Sequence, residues 1–368
     1  MGGAAARVVF PAMLAVAAAC GGNVVVDGPV LPGSGAASTG GSATTSPTTT
    51  NPNFPCQDTT SDPHNCGTCG HDCLGGDCLS SLCQPVILAS NGYPNGIAVD
   101  ATHVYWTDLI TGVMRLPLAG GTPELLAPAD SPEAIALDPA HVYWTAKNSV
   151  GRIDLGGGTA TSLLSTTLKT GAWALAIDGS TLYWADQILG TIQVIPVGGG
   201  PSTTVAKGLS APDGVVVDAT DVYWAEGTDQ QTEGSISRMP KAGGSPVTLA
   251  AHQQGPRALA LDDTSVYWTD SAVYVPSPTG LVMKAPKSGG AATPLASGQG
   301  NPLGIAVDAT DVYWVNSDSG TVMRVPKGGG TAVTLASAQF YPTAVAVDGS
   351  AVYWTTQQKG GAVVKLAK

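Results

Sequence analysis

Charge is scarce in this chain. Only 12% of its 368 residues are Asp, Glu, Lys or Arg, and the acids outnumber the bases 27 to 16, for a formal net charge of -11. Nucleic-acid affinity comes largely from Lys and Arg neutralising phosphates, so this balance excludes a nucleic-acid partner. Histidine is sparse too, with five copies, and no Ser/His/Asp spacing, P-loop or dinucleotide fingerprint is present. The "GGG" at Gly156, Gly198 and Gly328 recurs at one place in a repeat, where it is turn chemistry and not a phosphate cradle. Cysteine is missing from everything after Cys83. What is plentiful is glycine (48) and proline (27), which favours many short strands joined by tight turns over long helices.

The first twenty residues, "MGGAAARVVFPAMLAVAAAC", hold one basic residue, Arg7, then an apolar run from Val8 to Ala19. That is an export signal, too short for a spanning helix. Its end supports two readings. Ala17-Ala18-Ala19-Cys20 resembles a bacterial lipobox, with Ala17 where that motif usually has Leu, and the resemblance implies lipidation of Cys20. Ala17 and Ala19 also satisfy an A-x-A cleavage site, which would release a secreted protein. Gly21 in place of Asp after the cysteine implies, by analogy with lipoprotein sorting, the outer membrane and a bacterial cell-surface location. Residues 21–55 are Gly, Ser, Thr, Pro and Asn with scattered valines and read as a flexible stalk.

Cys56, Cys66, Cys69, Cys73, Cys78 and Cys83 fall in one short module, residues 56–83. In an exported chain they imply three disulfides, in any of about fifteen pairings, which offset the lack of an apolar core. Zinc is the alternative, through Cys66-x-x-Cys69 and His71, although an oxidising compartment favours disulfides. The stretch "NCGTCGHDC" (Asn65 to Cys73) resembles the NCGxCGxxC modules near the start of bacterial surface proteins.

From residue 84 to 368 the sequence repeats with a period near 40, the mark of a propeller. In "NPLGIAVDATDVYWVNSDSGTVMRVPKGGGTAVTLAS" four short strands are legible: Ile305 to Asp308, Val312 to Val315, Val322 to Val325 and Ala332 to Ala336. Asp100, Asp138, Asp178, Asp218, Asp262, Asp308 and Asp348 close the first strands; Trp106, Trp144, Trp184, Trp224, Trp268, Trp314 and Trp354 mark the second. The expected fold is therefore an all-β, seven-bladed propeller. The last unit has three strands, and "PVILAS" (Pro85 to Ser90) is an orphan strand before the first unit. Pairing the two would close the ring and remove its exposed edges, whereas an open arc would keep them. Within each Tyr-Trp pair the rings face opposite sides of a strand, filling the walls between blades. The repeated Asp ends a strand at a turn, where its carboxylate accepts backbone N–H groups.

"GIAVDATHVYWTD" (Gly96 to Asp108) and "GIAVDATDVYWVN" (Gly304 to Asn316) resemble the YWTD and NHL-type propeller repeats. Those families usually have six units, so the resemblance implies architecture and does not transfer ligand sites by blade. The Asp after the aromatic pair is kept at Asp108, Asp186 and Asp270, but Ala146, Glu226, Asn316 and Thr356 replace it elsewhere.

Chemistry is expected where the units differ. Before each first strand stands one variable residue: Asn95, Glu133, Trp173, Asp213, Arg257, Leu303 and Thr343. These occupy equivalent places and should gather at one mouth of the central channel. Two neighbouring loops are long, Ala225 to Gly234 and Thr269 to Gly280, the second carrying Tyr274; insertions on one face of a repeat protein often bind. The expected function is non-catalytic recognition of a protein, peptide or glycan by a monomer, with no cofactor required. The alternative is a metal-dependent hydrolase or lyase, with Ca2+ held by Asn95, Glu133 and Asp213.

Overall fold

The computed structural model describes residues 58–368 apart from 148, 166–170, 228–233, 272–278 and 358–359, together with the backbone of two short paired strands, Ala17–Ala19 and Asn23–Val25. Cys20, Cys56, Tyr274 and the middles of both long loops lie outside the described residues.

Seven four-stranded antiparallel sheets follow one another, with no helix among the described residues. The sixth blade is typical, with strands Pro302–Val307, Asp311–Asn316, Thr321–Pro326 and Val333–Ala336 pairing in chain order. Blade seven takes Pro342–Val347, Ala351–Thr356 and Gly361–Ala367 from the C-terminus and its outermost strand, Val86–Gly92, from the N-terminal side. Val363 pairs with Ala89 and Lys365 with Val86, so the ring is closed as the orphan strand predicts. Because each blade is an up-and-down meander, the fourth-to-first and second-to-third connections share one face, the mouth face. The Asp turns and glycine hairpins share the other, the turn face.

The Tyr-Trp pairs form the walls between blades. All seven tyrosines and all seven tryptophans of the second strands are buried. Each Trp removes roughly 150–250 Å² from water, about 4–6 kcal/mol before the entropy of ordering it. Opposite each Tyr, on the first strand, sits a small residue: Ala98, Ala136, Ala176, Val216, Ala260, Ala306 or Ala346. Large beside small lets the sheets converge towards the axis without overpacking.

The repeated Asp does more than cap a turn. In every blade one oxygen accepts two backbone N–H groups, as Asp308 Oδ1 does from Thr310 and Asp311 at 2.8 Å each. The other oxygen accepts the Tyr hydroxyl five residues on, at 2.7–3.0 Å around the ring. The buried hydroxyl is thereby satisfied, and the turn is tied to the wall.

At four seams a lysine from the following blade joins this unit. Lys241 reaches Asp178 (2.8 Å), Lys287 reaches Asp218 (3.0 Å), Lys327 reaches Asp262 (3.1 Å) and Lys368 reaches Asp308 (2.6 Å). Three of them also lie over the partner Tyr ring, Lys368 at 5.0 Å from the Tyr313 centroid. Burial alone pushes these carboxyls up, but lysine and N–H bonds outweigh it, and Asp308 ends at about 2. The matching positions of blades one to three are Leu118, Leu155 and Val197. There Arg115 and Arg152 bond the carbonyls of Leu155 and Val197 instead.

The cysteine module is joined by Cys66–Cys78 and Cys73–Cys83, and Cys69 is disulfide-bonded as well. Cys66, Cys73 and Cys83 bring their sulfurs together as the one His/Cys/Asp/Glu group, among the described residues, compact enough for an ion. Their disulfides leave no thiolate for zinc. Leu74 of the module packs on the cluster that joins blades seven and one, as Leu118 does. The module therefore packs against the closing seam, one of the three without a lysine.

Candidate functional site at the channel mouth

The seven variable residues take up their places at the starts of the first strands, and the ring they form is not uniform. Asn95 donates from Nδ2 to Glu133 Oε2 at 2.6 Å, joining blades one and two. Arg257 Nη1 meets Asp213 Oδ2 at 3.4 Å, joining blades four and five, while its Nε donates to Ser271 Oγ at 2.9 Å. Gln357 reaches Asn95 Oδ1 at 3.4 Å, and Thr343 shares a hydrogen bond with Thr355 at 3.0 Å. Leu303 is half-buried. Trp173 sits where the pairing slips between Ala172 and Ala174, and it is 47% exposed.

Electrostatics divide the ring into two halves. Burial pushes the Glu133 carboxyl up, and the Asn95 amide draws it partly back. Asp213 is buried beside a guanidinium. The three residues with metal-binding chemistry are thus split: Asn95 and Glu133 are joined to each other, and Asp213 is joined to Arg257 in the following blade. A single ion held by all three would have to replace the Asp213–Arg257 pair.

The threonine after the tryptophan is a further part of the site. Thr107, Thr269 and Thr355 donate to the carbonyls of Glu133, Leu303 and Asn95 at 2.6–2.7 Å, each in the next blade. The same hydroxyls accept N–H bonds from Gly96, Ala258 and Ala344 of their own blades. They fix the backbone of the mouth, and the T of the repeated "YWT" was the available signal.

Exposed apolar side chains also collect on the mouth face. Ile110, Ile188 and Leu189 are in second-to-third loops; Phe340 and Tyr341 lie between a fourth and a first strand, and Trp173 is at the start of the first strand of blade three. Phe340 is 71% and Ile110 70% exposed. Ile188 packs on Gly171, two residues before Trp173. Of the long loops, Ala225 to Gly227 and Ser271 are described at their roots.

Three solved structures are similar in fold. A chain of the nidogen/laminin complex is 22% identical over 67% of this chain and 98% of that one, with a TM-score of 0.53. Virginiamycin B lyase from Staphylococcus aureus is 16% identical over 77% of this chain and 98% of its own, with a TM-score of 0.63. Streptogramin B lyase is 12% identical over 77% and 97%, with a TM-score of 0.62. The likeness is one of fold. No family model and no curated protein matches the sequence. One of these neighbours is crystallised with a protein partner and two are lyases, so propellers of this shape serve both recognition and catalysis.

Proposed function

We propose that this propeller is a non-catalytic recognition domain that binds a protein or peptide on its mouth face. The observation that carries the reading is that Trp173, Ile188, Leu189, Ile110 and Phe340 are exposed on the face that also bears the polar pairs of the channel ring. Aliphatic loop residues offer nothing to the hydroxyls of a glycan, but they suit apolar side chains of a peptide. The nidogen/laminin neighbour supports the same use of the fold. Selection from a displayed peptide library tests it, with Trp173→Ser plus Ile188→Ser as the comparison. Selected peptides should bind the parent saturably and the variant at least about tenfold more weakly, with the unfolding midpoint unchanged. Equal binding to both overturns the reading.

The rival, a metal-dependent hydrolase or lyase, draws support from Glu133, whose raised carboxyl suits proton transfer. Calcium titration by calorimetry separates the two, since the rival requires saturable heat that Glu133→Ala and Asp213→Ala abolish. The disulfides Cys66–Cys78 and Cys73–Cys83 support an oxidising location outside the cytoplasm. We place the domain on the bacterial outer membrane through a lipidated Cys20, which mass spectrometry of the mature N-terminus would check.

A further inference from the structure

Three seams between blades are locked by a glutamine. Gln253 and Gln299, at the ends of the outer strands of blades four and five, and Gln339, just past that of blade six, each accept the indole N–H of the next blade's tryptophan. Trp268, Trp314 and Trp354 donate to the three Oε1 atoms at 3.1, 3.0 and 2.9 Å. Each Nε2 donates to the carbonyl two residues back, that of Ala251, Ser297 or Ser337, at 2.7–2.9 Å. A carboxamide is therefore read at both ends, by one donor and one acceptor.

At the closing seam the place of that glutamine is held by Gly92. Gly92 pairs with Gly361 as Gln253 pairs with Gly234 and Gln299 with Gly280. The residue before it, Asn91, has φ +69°, matching His252, Gly298 and Ala338 before the glutamines. The indole N–H of Trp106 has no hydrogen-bond partner among the described residues. In its place is a cavity of about 250 Å³ lined by Ser90, Gly92, Trp106, Asp108, Ile110 and Met114. Losing the glutamine does not by itself open a seam. Between blades three and four Leu209 stands there, and the Trp224 indole is buried without a partner.

We infer that this seam cavity binds a primary carboxamide, the side chain of a glutamine presented by a peptide, which takes the position the protein's own glutamines occupy at the other seams. Trp106 Nε1 donates to the ligand's carbonyl, and the Ser90 carbonyl accepts from its amide. The protein cannot supply the group itself. A Cβ on Gly92 would stand 2.3 Å from Asp108 Oδ2, and that carboxylate is fixed by the N–H groups of Tyr93 (2.7 Å), Ile110 (3.1 Å) and Thr111 (3.0 Å). The Asp108 charge beside the cavity disfavours a carboxylate ligand. The volume falls below the ~300–1,000 Å³ of drug-sized pockets and suits one side chain with its adjoining backbone. The cavity shares Ile110 with the mouth face but is argued from Trp106, Ser90 and Gly92, so it does not depend on the reading of the channel ring.

The test is NMR of the full chain labelled with ¹⁵N in its eight tryptophans, the Trp106 signal being assigned by its loss in Trp106→Phe. N-acetyl-glutamine methylamide should shift that indole signal saturably, and the glutamate and norleucine analogues should bind at least about tenfold more weakly. Free L-glutamine distinguishes the source: binding of the blocked form alone supports a peptide side chain, while equal binding of both overturns that part. Met114→Phe narrows the cavity but keeps the indole, so it should weaken binding about tenfold. No shift of the Trp106 signal, equal response to all three blocked probes, or unchanged affinity in Met114→Phe overturns the inference.

Discussion

Replacing Asp270 by asparagine should stabilise the protein, and should do so only above a definite pH. Asp270 is buried at the end of the second strand of blade five, where Oδ2 accepts the Gln254 N–H at 3.0 Å and Oδ1 has no partner. Burial raises its carboxyl from 3.8 to about 6. The folded pKa lies above the unfolded one, so the folded form is favoured fully below about pH 4, and that advantage is lost as pH rises through about 6. At pH 8 the buried charge corresponds to a penalty of about 3 kcal/mol. Blade six shows what asparagine does in this position: Asn316 Nδ2 donates to Gln299 Oε1 of blade five at 2.9 Å, and Gln253 of blade four is the matching acceptor for position 270. The expected gain at pH 8 is therefore about 3–4 kcal/mol, shrinking to about 1–2 kcal/mol at pH 4.5, where about 1 kcal/mol of the charge penalty remains beside the added hydrogen bond. Urea unfolding followed by tryptophan fluorescence at both pH values measures it. A variant that is destabilised at pH 8, or whose gain is the same at both, would refute the burial argument.

Acid should loosen the seams on the turn face. Asp178, Asp218, Asp262 and Asp308 are held low in the folded protein, so their contribution is full above the ordinary carboxylate range and is lost as pH falls towards about 2. Lys327→Met should cost roughly 1–3 kcal/mol near neutrality and less at low pH, and a double-mutant cycle with Asp262→Asn isolates the pair. Gly151→Ala would place a Cβ 2.3 Å from the Trp144 ring, so a loss of at least ~1–3 kcal/mol is expected by denaturant unfolding. Removing Cys66–Cys78 by paired serine substitution should cost roughly 2–4 kcal/mol in the module, and hydrogen exchange should rise first in Val86–Gly92.

The blade count and ring closure were legible because they rest on period and on strand patterning, which short-range sequence records. The Asp-Tyr bond was half legible: the turn could be read from "VDAT", but the hydroxyl closes its bond only once strands one and two pair. The seam lysines had a local mark, P-K-x-G-G at Lys241, Lys287 and Lys327, yet their targets belong to another blade, so no window of sequence contains both partners. The same limit applied at the mouth. Residue type marked Asn95, Glu133, Asp213 and Arg257 as a ring, but which neighbours would join depended on the angle between blades. The glutamine of the seams carried the mark Q-x-x-P at Gln253, Gln299 and Gln339, and its absence at Gly92 has meaning only against those three.

Closing blade seven with strands from both ends sets an order on the protein's assembly. Val86–Gly92 is synthesised before any blade, yet its partner, Gly361–Ala367, arrives last. If the intervening chain were loose, bringing these strands together would cost about 3 kcal/mol more than closing a ten-residue hairpin. Each completed blade reduces that cost by turning the chain round the axis. The first strand meanwhile waits as an unpaired edge, the most exposed stage in the life of the chain. Leu74 and its disulfide neighbours lie directly before that strand, so they can be in place to accompany it through the delay.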